Sequence, residues 1–115
     1  MQTDRVVEGL AEWASGSTGT EAAVELLIET EFWLTRAEFV ERALVEAGSG
    51  LSIDWAKARA VADDVQCSRG ERFILQLACS LADDEQTVAM SGIAALDGRN
   101  LKRVTEALRT AKFGW

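Results

Sequence analysis

From Ser68 to Ala82 the chain reads SRGERFILQLACSLA, and its polar positions are confined to one narrow side. Phe73, Ile74, Leu77, Ala78 and Leu81 recur at helical spacing, while Leu75, Cys79 and Ala82 cover most of the remaining circumference. Arg72, Gln76 and Ser80 form the one polar sliver. A helix that is apolar nearly all round belongs inside a protein, ringed by other helices. The pattern predicts an all-α fold: a compact bundle of five or six helices around a buried central helix at about 69–82, with residues 1–115 forming a single helical domain.

The remaining periodicity supplies the ring. A first helix is expected from Asp4 to Ala14, with Val6, Val7, Leu10 and Trp13 inward, broken by Ser15-Gly16-Ser17-Thr18-Gly19, a short mobile turn. Thr18 and Glu21 have capping-box spacing and open a second helix to Thr30, which buries Ala23, Val24, Leu27 and Ile28 and carries Glu21, Glu25 and Glu29 as an outer acidic stripe. After the apolar corner Phe32-Trp33-Leu34, Thr35 and Glu38 form a second capping box, with Leu34 placed to staple Phe39. That third helix is expected to run to Gly48, a natural left-handed cap, followed by the loop Ser49–Ser52 and a fourth helix from Ile53 to Val65. Ser68 and Glu71 cap the central helix, and Asp83-Asp84-Glu85 end it by opposing the helix dipole. Ser91 is placed to cap a single turn to Ala95. Asp97 caps a last helix in which Leu101, Val104, Leu108 and Ala111 face inward until Gly114, with Leu96 and Leu101 as a staple. No segment alternates as a β-strand does.

Composition agrees with a folded body and narrows its chemistry. At 115 residues, a chain removes roughly two-thirds of its unfolded surface from water, enough for a core without staples. The 48% hydrophobic and 27% charged content excludes disorder. There is no His, Pro or Tyr, so the commonest metal ligand and general base is missing. Nine Arg against three Lys, with abundant Ala, fit the coding bias of a GC-rich bacterial genome. Cys67 and Cys79 lie too far apart along one helix axis to pair, and free thiols suit a reducing cytoplasm. The first apolar stretch is interrupted by Asp4, Glu8 and Glu12, unlike a signal peptide, and no run reaches membrane-span length. Residues 1–48 hold ten Asp or Glu and three Arg, whereas residues 49–115 hold nine of each sign, so the net charge of −7 belongs to the first part.

Each chemical constellation has a structural counterpart. Cys67 before Arg72 suggests a phosphatase-like thiolate at a helix start, but that loop needs one residue more than the four found here, and no strand precedes it. A buried thiol is the simpler reading, for Cys79 as well. Asp63-Asp64 and Asp83-Asp84-Glu85 lack calcium-loop spacing and read as solvated helix ends. Gly16-Ser17-Thr18-Gly19-Thr20 lacks the Lys of a phosphate loop. A helix-turn-helix spanning Ala62 to Ala82 would leave its second helix with few side chains to read bases. On the last helix, Arg99, Lys102, Arg103, Arg109 and Lys112 form a basic face with Glu106 as its one acid; it is either solvated, neutralised by the acidic first part, or a grip for phosphates or an acidic protein. Phe32, Trp33 and Trp115 are the candidate partner-binding aromatics, because aromatic side chains dominate interaction anchors.

From Ser68 through Leu108, the run Ser68-x-x-Glu71, Leu75-x-Leu77-Ala78-x-Ser80-Leu81-Ala82, Leu96-Asp97-x-x-Asn100 and Val104-x-x-Ala107-Leu108 resembles small uncharacterised helical proteins of GC-rich Gram-positive bacteria. The resemblance covers roughly the C-terminal third and implies helix boundaries but no activity. The expectation from the residues is a cytoplasmic, non-enzymatic module with no cofactor or metal, which binds another protein or a second copy of itself. Two alternatives stand beside it: a nucleic-acid-associated factor using the basic face, and a thiol-dependent enzyme using Cys67.

Overall fold

Two helices distant in sequence, Thr18–Thr30 and Arg69–Ala82, pack against each other at the centre of the molecule. The computed structural model describes residues 2–48 and 50–114, with the side chains of residues 2–4 and 47 left aside. In chain order, the helices are α1 (Gln2–Ala14), α2 (Thr18–Thr30), α3 (Ala37–Ala43), α4 (Trp55–Asp64), α5 (Arg69–Ala82) and α6 (Gly98–Phe113). Short 3₁₀ segments lie at Trp33–Thr35 and Met90–Ala95, and strands β1 (Leu44–Ala47) and β2 (Gly50–Ile53) form one antiparallel hairpin. The fold is an all-α bundle carrying that small hairpin. Its radius of gyration, 12.9 Å, matches the ~13 Å expected of a compact chain of about this length.

The predicted central helix is α5, and Phe73, Ile74, Leu75, Leu77, Ala78 and Cys79 are all buried. Its polar sliver is not wasted on solvent. Arg72 donates from Nε to the Ala62 carbonyl at 2.8 Å and from Nη2 to the Val65 carbonyl at 3.1 Å, while the Gln76 amide donates to Asp63 at 3.2 Å. Carbonyls at the end of a helix have no partner within it, so Arg72 closes α4 from the side. The centre is nevertheless a pair: α2, with Ala22, Ala23, Val24, Leu26 and Leu27 buried, packs against α1, α5 and α6. Small alanines allow the approach, and Gly19 lets α2 come against the backbone carbonyl of Leu81; any Cβ there would collide with it. Gly19 is thus a packing position inside α2, where a mobile turn was expected.

Local start and stop signals divide into those that act locally and those captured by distant partners. The Ser68–Glu71 capping box forms in both directions, at 3.1 and 2.9 Å. Asp97 accepts from the Asn100 amide at 2.7 Å, and Gly114 ends α6 in the left-handed conformation at φ 84°. The other two expected boxes do not form. The N-cap of α2 is Ser17, one residue before the expected Thr18, and the Thr18 hydroxyl donates instead to the Ala111 carbonyl on α6 at 3.0 Å. α3 begins after Arg36, the Thr35 hydroxyl donates to the Phe32 carbonyl at 2.9 Å, and Glu38 pairs with Arg36 at 3.0 Å. Among side chains expected inward, Trp13 is 38% exposed, stacked on Trp55 with ring centroids 6.3 Å apart.

The hairpin is the main departure. The expected third helix stops at Ala43, and the chain pairs Leu44 with Ile53 and Glu46 with Leu51 through a tight turn at Gly48, φ 62°. Strand pairing puts Leu51 against Gly9 of α1, where an added Cβ would lie 2.9 Å from a Leu51 methyl, and Ile53 is buried. Asp54, just after β2, accepts from the Lys57 amide at 3.1 Å and starts α4. Gly48 is therefore a hairpin turn, where a helix cap was expected.

Candidate interaction surface

α6 is held on the bundle by one edge. Val104, Ala107 and Thr110, three residues apart, are buried against α2, with Ala111 half-buried beside them. That places the helix differently from the expected inward set. Leu101 is 42% exposed and Leu108 40% exposed, so the core role assigned to them is corrected. The reason is coverage: α2 is the main helix packed on α6, and one neighbouring helix covers only one side of it. The leucines lie two turns apart on the uncovered side.

The basic face sits on the same helix. Arg99, Lys102, Arg109 and Lys112 are exposed, whereas Arg103 is half-buried and donates to the Asn100 side chain at 3.4 Å. At the edge facing α2, Glu25, Glu29, Glu106, Arg109 and Thr110 line a shallow depression of about 230 Å³, and the Thr110 hydroxyl donates to Glu25 at 3.3 Å. The acidic stripe of α2 therefore meets one margin of α6. Contact ion pairs among the described residues are Arg36–Glu38, Arg42–Asp64 and Arg59–Asp63, none of them on α6. On the open side, Lys112 lies one turn beyond Leu108, while Lys102 and Arg109, each the residue after one of the leucines, lie about 100° further round the helix.

The aromatic candidates fare differently. Trp33 is wholly buried, its Nε1 donating to the Glu71 carbonyl at 2.8 Å, with Phe32 edge-on at 4.9 Å and Phe39 at 6.3 Å. A ring with no exposed surface is core, so Trp33 is corrected from contact residue to structural anchor between the 3₁₀ corner and α5. Phe32 is half-buried, with the Arg36 guanidinium 5.2 Å above its ring. Trp115 lies outside the described residues.

The thiols are both unpaired. Cys79 is buried with its Sγ 3.6 Å from the Trp55 carbonyl, and burial pushes its pKa up to about 12. A thiol so far from its thiolate is a poor nucleophile at neutral pH. Cys67 is half-buried near the start of α5. No group of three or more Cys, Asp or Glu among the described residues is arranged to hold a metal ion. None of the described helices is long and apolar enough to cross a membrane.

The cations of this surface are legible in the sequence, whereas its leucines are not. Leu101 and Leu108 have the spacing of core positions. The available signal was the alternative small stripe Val104, Ala107 and Thr110, which suits close helix contact. No protein-family model, curated protein or solved structure matches the chain.

Proposed function

We propose that this protein is a cytoplasmic, non-enzymatic interaction module whose contact surface is the outer side of α6. One observation carries the reading: Leu101 and Leu108, each about two-fifths exposed, share an uncovered helix face bordered by cations. Scattered exposed leucines are ordinary, but a pair two turns apart on one face is the pattern by which helices find partners. The buried, unreactive Cys79 and the absence of His from the sequence leave no constellation that favours catalysis over binding.

The test compares the wild type with Leu101→Glu/Leu108→Glu in affinity capture from the native host, with sedimentation of each protein alone. A protein recovered by the wild type and lost with the double variant, or a self-assembly lost with it, supports the reading. Identical recovery by both proteins and monomers throughout overturn it. Four exposed cations also favour a second reading, nucleic-acid association. It requires a gel shift that weakens steeply with salt and disappears in Lys102→Glu/Arg109→Glu while surviving the leucine changes.

A further inference from the structure

We infer that the open side of α6 takes an acidic amphipathic helix from a different protein, its apolar side chains seated on Leu101 and Leu108 and its carboxylates on Lys102, Arg109 and Lys112. The inference rests on the interaction-module reading and adds the chemistry of the partner. The leucines are seven positions apart, about 10.5 Å along the helix, the spacing at which a second helix offers residues two turns apart. A narrow apolar strip of this kind specifies a helix poorly without help from its borders. The open side of α6 is predominantly cationic: Arg99, Lys102, Arg109 and Lys112 are exposed against the single acid Glu106. Glu25 and Glu29 share the depression at the margin facing α2 with Arg109, and neither Lys102 nor Lys112 lines it, which leaves those two for an incoming charge.

Charge also selects among occupants. Two copies joined through α6 would bring four cations and one Glu from each side to one seam, and like charges facing across an interface oppose association. Nucleic acid would use the cations but leave both leucines against a polar backbone. An acidic amphipathic helix satisfies both features together.

A displayed library of helical peptides of about 18 residues, five turns, tests this directly. Each peptide carries apolar residues at i, i+3 or i+4, and i+7, with randomised flanks, and the full-length protein is the bait. The expected result is enrichment of Asp and Glu at the flanks. The best peptide, followed by fluorescence anisotropy, should lose at least about tenfold in affinity toward Leu101→Glu/Leu108→Glu. It should lose a similar factor toward Lys102→Glu/Arg109→Glu, and a peptide with Lys at the flanks should restore binding to that variant, which an unfolded protein would not permit. Enrichment of basic or uncharged flanks, no enrichment, or affinity indifferent to these substitutions overturns the inference. If sedimentation instead gives a dimer abolished by the leucine changes, the module reading stands and this partner assignment falls. Salt-sensitive nucleic-acid binding without any peptide ligand removes both.

Discussion

Arg72 shows how a single side chain turns a polar flaw in an apolar helix into a joint. Its guanidinium serves two carbonyls at the end of α4, Ala62 and Val65, that would otherwise face a part-buried interface unpaired. Replacing it with Met keeps the packed stem but orphans both acceptors. We expect Arg72→Met to cost about 1–3 kcal/mol, read from urea unfolding, with Arg72→Lys recovering part of it. Cys79 is a second residue whose environment has a measurable consequence. Its folded pKa, about 12, stands above the ordinary 9.0, so the unfolded chain releases the proton first as pH rises. The thiol's stabilising share is therefore whole below about pH 9 and is lost progressively as pH climbs from there toward 12. Stability should fall more steeply across that interval in the wild type than in Cys79→Ala, and alkylation of the folded protein near neutral pH should spare Cys79. Equal slopes would show that its burial has no such effect.

Among the elements, α2 and α6 are positioned by small residues, and glycines reveal how tightly. Gly-to-Ala changes inside helices ordinarily stabilise by up to about 1 kcal/mol. At Gly19 the added methyl would run into the Leu81 carbonyl, a backbone atom that cannot rotate away. Overpacking of that kind costs about 1–3 kcal/mol and reverses the sign. Gly19→Ala should therefore lower Tm, while Gly98→Ala, with open space around its Cβ, should leave Tm unchanged or raise it. A rise at both positions would show that α2 and α5 are not in backbone contact. The third helix illustrates the opposite balance. Phe39, Val40, Ala43 and Leu44 continue a helical period, yet Leu44 also faces the right way for a strand opposite Ile53. Period alone cannot separate those choices. The hairpin prevails because it buries Ile53 and seats Leu51 on Gly9, both contacts with distant chain.

Across the whole molecule, the edge-on seating of α6 separates what holds the fold from what is offered outward. Val104, fully buried, should cost about 1–2 kcal/mol when cut to Ala, whereas Leu101→Glu/Leu108→Glu should cost no more than about 0.5 kcal/mol per site. Thermal denaturation distinguishes the two; a large loss in the double variant would mean that the leucines support the bundle after all. Much of this architecture was legible in the one-dimensional pattern. The burial of α5 around all but its Arg72–Gln76–Ser80 side, the caps at Ser68 and Asp97, and the stop at Gly114 follow from periodicity and from hydrogen bonds closed within a turn or so of chain. Such signals need no knowledge of neighbours. Three features depend on chain brought from far away: the hairpin, the burial of Trp33 beneath α5, and the rotation that exposes Leu101 and Leu108. In each case the local pattern is compatible with more than one outcome, and the surface that distant chain covers decides between them.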